Sequence, residues 1–276
     1  MITYQKDGLT VFQSALWQTT STVVETKNFI LVADPAWLPH EIKEIQEYVE
    51  QIRKDKELYL LFTHGDFDHI IGFNAFPGAK VIASKGMQEH PNKQYNLNLI
   101  QNFDREYYVE RPYEIEFPTI DFVIEEDGQQ LVLGDITITF YLSPGHTHDG
   151  LFTVIEPMGI WISGDYLSDF ELPFVFDSVK AYKSTLQKAY QILDLHSVHV
   201  LIPGHGQLTK IEEVMKQRIA MSEDYLDRLI VAVTTEDLEG LNALELEMPF
   251  NSNFTKRCHK ENIATVLKEY TIQGNG

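Results

Sequence analysis

A single cysteine, Cys258, is present in 276 residues. An intramolecular disulfide is therefore impossible, and so is a Cys-rich metal cluster. A reducing compartment fits this composition, as does a disulfide-free exported chain. Basic residues are also scarce. There are 22 Lys and Arg against 41 Asp and Glu, a formal net charge of −19. Surfaces that neutralise phosphates need clustered Lys and Arg, so nucleic acid and anionic lipid are disfavoured as partners. A small-molecule substrate is the expected partner, and the sequence carries no signal of an oligomeric state. No run approaches the roughly 18 apolar residues that a membrane span needs. The opening residues Met1–Gly8 hold no long apolar stretch of the secretory type, so a cytoplasmic location is expected. Repeats, low-complexity tracts and Pro/Ser-rich linkers are missing as well. What remains is an ordinary folded composition, 43% hydrophobic, long enough for one large α/β domain or two small ones.

The richest segment is Thr63-His64-Gly65-Asp66-Phe67-Asp68-His69. Its four potential ligands, His64, Asp66, Asp68 and His69, directly follow the apolar run Leu58–Phe62. Such a run ending in a polar turn reads as a buried strand that delivers ligands at its C-terminal tip. Imidazoles and carboxylates are donors suited to Zn, Fe or Mn. Three further candidates each follow another apolar run in a short glycine-containing turn. They are His146 in Ser-Pro-Gly-His-Thr-His, Asp165 in Ile-Ser-Gly-Asp, and His205 in Ile-Pro-Gly-His-Gly. One such turn is weak evidence, but four in this order indicate a composite metal site.

The order of these motifs resembles the metallo-β-lactamase-fold hydrolase superfamily, over about residues 10 to 235. The resemblance implies an α+β fold, an αββα four-layer sandwich with helices on both outer faces. Residues 1–235 would form the metallo-β-lactamase-like domain, with 86–120 as a possible lid insertion and 236–276 as a helical C-terminal extension. Carried over residue by residue, site one would hold His64, Asp66 and His146. Site two would hold Asp68, His69 and His205, and Asp165 would bridge them. The implied cofactors are two divalent metal ions, Zn first, with Fe or Mn as alternatives. Asp66 departs from the usual pattern, because most members carry a second His there. A carboxylate hardens the site toward oxygen-loving metals. Charge counting suits two ions: four positive charges meet Asp66, Asp68, Asp165 and a bridging hydroxide. A neutral cluster avoids an unpaired buried charge.

Periodicity supplies the frame. Strands are expected at Phe29–Ala33, Lys80–Ala83, Ile136–Leu142, Leu151–Ile155, Ile160–Ser163 and Val198–Ile202. Helices are expected at residues 39–55, 178–193, from near Thr209 onward, and from about Thr255 to Tyr270. Ile42, Ile45, Val49 and Ile52 form a core stripe on the first helix. Residues 86–120, with aromatics set among polar residues, do not read as regular core. They are either a substrate-facing lid or a surface segment. Two more residues are candidates. Tyr166 is either an oxyanion donor or a packed tyrosine, and His148 is close enough in sequence to reach the cleft. His40, His90, His196, His199 and His259 read as structural.

The expected chemistry is hydrolysis. A hydroxide held between two divalent ions stays nucleophilic near neutral pH. The resemblance implies Asp68 as a ligand that also accepts a proton. A small ester, lactone or thioester is preferred to a phosphodiester, because the chain is acidic. The alternative is a non-haem iron oxidoreductase resembling sulfur dioxygenases, since His64, His146 and Asp165 form a two-histidine, one-carboxylate set. A non-catalytic metal-binding protein is the third reading.

Overall fold

The computed structural model describes residues 1–248 and 250–270. The chain opens as an antiparallel meander of β1 (Ile2–Lys6), β2 (Leu9–Gln13), β3 (Thr20–Glu25) and β4 (Phe29–Ala33). Helix α1 (Pro39–Arg53) then crosses to β5 (Glu57–Leu61), which pairs parallel with β4. The short α2 (Phe67–Ile70), β6 (Lys80–Ser84), α3 (Lys85–Gln88), α4 (Lys93–Glu106) and β7 (Phe122–Ile124) follow. Together β1 to β7 form a seven-stranded sheet in sequence order.

A second sheet runs β12-β11-β10-β9-β8. It contains β8 (Gln129–Leu133), β9 (Ile136–Leu142), β10 (Leu151–Glu156) and β11 (Ile160–Gly164), all antiparallel neighbours. After α5 (Val179–Leu195), β12 (Val200–Pro203) joins parallel to β11. Helices α6 (Glu212–Thr234), α7 (Leu238–Leu246) and α8 (Asn253–Tyr270) complete the described chain. Residue 249 and residues 271–276 of the expected extension lie outside the described residues.

Alternation along the strands builds the layers. On β4, Phe29, Leu31 and Ala33 face the second sheet, where Ile138, Phe140, Ile155 and Ile162 meet them. Ile30 and Val32 point the other way, onto Ile42, Ile45 and Val49 of α1. On the far side, Phe152, Val154, Trp161 and Leu201 pack under α5, α6 and α8 through Leu186, Ile219, Leu226 and Val266. Three apolar interfaces therefore separate four layers, and both sheets are buried on both faces over much of their length. Each such buried side chain contributes roughly 1.5–3 kcal/mol. The α+β four-layer sandwich is the architecture expected from sequence.

Some boundaries differ from expectation. The long helix begins at Glu212 rather than near Thr209, because Thr209 pairs with Leu201 beside β12. Residues 86–120 contain regular structure after all. Helix α4 buries Asn96 and Ile100, with Leu97 and Phe103 packed against the α1 side of the core. Among the described residues, no helix is long and apolar enough to cross a membrane.

Candidate metal centre

The strand tips set the site. Strand β5 ends at Leu61, and Phe62 and Thr63 carry the backbone to His64. Asp34, directly after β4, fixes this exit. Its carboxylate accepts from the Thr63 amide at 2.9 Å and from Thr63 Oγ1 at 2.6 Å. The same carboxylate accepts from His69 Nδ1 at 3.0 Å. Since Thr63 Oγ1 donates to Asp34, it accepts from His64 Nδ1 at 3.0 Å. His146 Nδ1 donates to the Phe174 carbonyl at 2.7 Å, and His205 Nδ1 to the Trp17 carbonyl at 2.9 Å. All four imidazoles thus carry hydrogen on Nδ1, and each turns Nε2 inward, where its lone pair can take up a cation or a proton.

Those lone pairs converge on Asp165, at the end of β11. Its carboxylate oxygens lie 3.6 Å from His64 Nε2, 3.1 Å from His69 Nε2, 3.3 Å from His146 Nε2 and 3.2 Å from His205 Nε2. Asp66 Oδ2 stands 3.7 Å from His64 Nε2 and 3.5 Å from His146 Nε2. Asp68 Oδ2 stands 3.7 Å from His69 Nε2 and 3.4 Å from His205 Nε2. The structure therefore brings together all seven expected ligands, in two groups that share Asp165: His64, Asp66 and His146, and Asp68, His69 and His205. Tetrahedral Zn–N and Zn–O bonds of about 2.0–2.1 Å put donor atoms roughly 3.4 Å apart, which suits these spacings.

The donor set fits a cation on chemical grounds too. Nε2 of His64, His69 and His146 and Oδ1 of Asp165 are buried without a hydrogen-bond partner among the described residues. Acceptor lone pairs facing acceptor lone pairs are costly unless a cation lies between them. Metal-free, protons supply that charge. Burial disfavours a charged His69, but the carboxylates of Asp165, Asp68 and Asp34 outweigh it and hold the ring well above the usual histidine range. His146 behaves alike through Asp165 and Asp66. Against its own burial, His205 is pushed up to about 10 by Asp165 and Glu171. His64 goes the other way: burial and the neighbouring His69 lower it. Burial works against the Asp165 carboxylate, yet His205, His69 and His64 keep it well below the ordinary range.

Glycines open the space that these groups need. A Cβ on Gly204 would sit 2.0 Å from Asp165 Oδ1. Gly145 has φ +130°, and a Cβ there would sit 2.3 Å from the Tyr182 Cα, so the His146 turn can lie on α5 only with glycine.

Tyr166 is the packed tyrosine. Its hydroxyl donates to the Pro144 carbonyl at 2.8 Å and accepts from the His146 amide at 3.0 Å, so its only proton is committed and none is left for an oxyanion. His148 is exposed, with its ring 4.8 Å from that of His90. With Asp149 these two histidines form a separate cluster beside the ligand loop. Asp149 braces that loop by accepting from the Gly65 amide at 2.8 Å.

Sequence reasoning missed Asp34, Asp149 and Glu171. An Asp after a buried strand beside the ligand strand was the available signal for Asp34. Glu171 lies in the segment between β11 and α5, near His205, Asp165 and Asp68, and burial pushes its carboxyl up to about 7.

Comparison with known proteins agrees with this fold. The chain is 22% identical over 221 residues to the beta-lactamase-like protein 2 homolog of Caenorhabditis elegans, covering 78% of this chain and 65% of that one. It thus spans about two thirds of that relative's length. It is also 22% identical over 227 residues to a probable polyketide biosynthesis zinc-dependent hydrolase of Bacillus velezensis, covering 78% of this chain and 86% of that one. A metallo-beta-lactamase family protein from Thermus thermophilus shares the fold, with TM-score 0.67 and 16% identity, over 97% of this chain and 94% of that one. The family model described as Metallo-beta-lactamase superfamily matches residues 15–205, from the turn before β3 to His205, and the chain belongs to that superfamily.

Proposed function

We propose that the protein is a dinuclear metal-dependent hydrolase acting on a small ester, lactone or thioester. The observation that carries this reading is the convergence of four imidazole Nε2 atoms on one largely buried carboxylate, flanked by a further carboxylate on each side. A zinc-dependent hydrolase among its relatives supports the metal and the reaction class. Bound divalent ions would supply Lewis acidity and an activated water. The chain's own residues do the rest. Asp165 joins the two groups and keeps them in register. Asp68 orients the attacking water and takes its proton. Asp34, Thr63 and the carbonyls of Trp17 and Phe174 keep each imidazole in the Nδ1–H form, so Nε2 stays available.

The segment 86–120 acts as the lid. Asn96 Nδ2 donates to the Gly65 carbonyl at 2.7 Å, and His90 and Phe117 crowd the same residue. Tyr107 and Tyr108 point to solvent, so His90 and Phe117 rather than the tyrosines face the ligand loop. The acidic surface favours carboxylic ester and thioester substrates over phosphodiesters.

Elemental analysis after reconstitution should find two metal ions per chain. A panel of simple esters, thioesters and phosphodiesters should reveal turnover that Asp68→Asn lowers at least tenfold, with the circular dichroism unchanged. Retention of more than about a tenth of the activity, a barrier change under roughly 1.4 kcal/mol, removes Asp68 from its role. A single tightly held iron per chain would replace hydrolysis by the oxidoreductase reading.

A further inference from the structure

Asn262 on α8 is fully buried, and every hydrogen-bonding atom of its side chain is used. Its Oδ1 accepts from the Val175 amide at 2.7 Å. Its Nδ2 donates to the Pro173 carbonyl at 2.7 Å and to Tyr225 Oη at 2.8 Å. The direction of this chain of bonds is determined throughout. The Leu241 carbonyl can only accept, so His259 Nε2 donates to it at 3.1 Å. His259 Nδ1 then accepts from the Tyr225 hydroxyl at 2.9 Å. With its proton spent, Tyr225 can only accept from Asn262. A buried amide with all its bonds made specifies one arrangement, whereas a half-satisfied one is costly.

The amide grips the backbone on both sides of Phe174. The carbonyl of Phe174 is the group that receives the Nδ1 hydrogen of His146 at 2.7 Å. Thr265 Oγ1 adds a bond to the Val175 carbonyl at 3.2 Å, and the Phe174 ring meets Phe254 at 5.9 Å. Tyr225, His259 and Asn262 all lie beyond residues 15–205, the region matched by the family model.

We infer that Asn262 is a positioning residue of site one: by clamping residues 173–175 it holds the Phe174 carbonyl where it orients His146. The C-terminal helix is thereby part of the metal centre rather than only a cover on the second sheet. The inference rests on the metal-centre reading above. Bonds at one remove from a ligand typically change metal affinity by about 10–100-fold.

The test uses chelator-treated full-length protein titrated with Zn(II) and, for its spectrum, Co(II). Asn262→Ala should weaken binding at site one by about 10–100-fold, leave site two within about twofold, and keep the far-ultraviolet circular dichroism. In metal-free protein, ¹⁵N NMR of the histidines should show a protected Nδ1–H on His146 in the wild type and its loss in Asn262→Ala. Tyr225→Phe removes one bond from the relay and so loosens the clamp without abolishing it. It should lower site-one affinity by less than Asn262→Ala does, and it provides the measurement if Asn262→Ala fails to fold. Equal weakening of both sites would mark a general packing role and overturn the inference. So would wild-type affinity in Asn262→Ala, or in Tyr225→Phe where Asn262→Ala does not fold. Wild-type protein that takes up no metal at all would instead sink the metal-centre reading, a different result from two sites with equal affinities in wild type and variant.

Discussion

The two halves of the candidate metal centre are built differently. Asp68, His69 and His205 are all buried, whereas Asp66 in the other half is partly exposed. His69 is braced by Asp34 and His205 by the Trp17 carbonyl, both belonging to the amino-terminal part of the sandwich. His146 is braced by a loop carbonyl, itself held by α8. Asp66 stands at the start of α2 with no side-chain capping bond. Site two is thus braced by the Asp34 carboxylate and a turn carbonyl between β2 and β3, and His64 of site one shares the Asp34 brace through Thr63, whereas His146 alone depends on a segment held by a helix remote in sequence. Rigidity follows burial and bracing, so the halves should respond differently to protons, to mutation and to metal identity.

Protons give the largest expected contrast. In the metal-free protein, burial opposes charge on both imidazoles of site two, but neighbouring carboxylates prevail and raise them, His69 well above the ordinary range and His205 up to about 10. At site one only His146 is raised, while burial lowers His64. A raised ring is protonated at neutral pH and must release its proton before its lone pair can bind a metal. Affinity therefore falls as pH falls. With two such protons, site two should lose about 100-fold per pH unit below neutrality, and site one, with one, about 10-fold. Zn(II) titrations at pH 6, 7 and 8, with proton release followed in weak buffer, measure both slopes. Equal slopes would abolish the electrostatic distinction between the halves.

Asp34→Ala strikes the brace of site two. It removes the acceptor from His69 Nδ1, from the Thr63 amide and from Thr63 Oγ1 together. Site-two affinity should drop about 10–100-fold. Site one should drop less, because Thr63 Oγ1 can still accept from His64 Nδ1. The complementary response to Asn262→Ala would make the pair a double dissociation. Loss confined to site one in Asp34→Ala would reverse the assignment of braces.

What was legible in the sequence follows the same division. Strands Phe29–Ala33 and Ile136–Leu142 have the bounds read from their patterns, because each is an apolar or alternating run closed by turn residues. The seven candidate ligands were legible because they cluster in polar segments that follow apolar runs, although Asp68 and His69 lie on the short helix α2 rather than in a turn. The braces were not. Asp34 meets His69 across 35 residues and Asn262 meets Val175 across 87, separations over which periodicity carries no information. Helix α4 was hidden for another reason. Its apolar positions Leu97, Ile100 and Phe103 are diluted by Asn and Gln, and tertiary packing of that narrow stripe, rather than propensity, makes the segment helical. His259 read as an ordinary core histidine, and its hydrogen bonds are ordinary; only the chain of contacts from it to His146 gives it a bearing on the site.

The smallest expected effect concerns Asp66. Replacing it by histidine exchanges a carboxylate oxygen for an imidazole nitrogen at the more exposed half, where a longer side chain can be accommodated. The total charge of the donor set becomes less negative by one, so the two-ion cluster loses its balance and the overall affinity for hard ions should decline. Nitrogen donors suit Zn better than Mn. Competition of Zn against Mn in chelator-treated protein should therefore shift toward Zn at site one by a few-fold, about 1 kcal/mol or less, with site two unmoved. A shift at both sites would mean that Asp165 transmits the change and that the halves are not independent. No shift at either would put Asp66 outside the coordination sphere, and the difference between the two halves would then reduce to bracing alone.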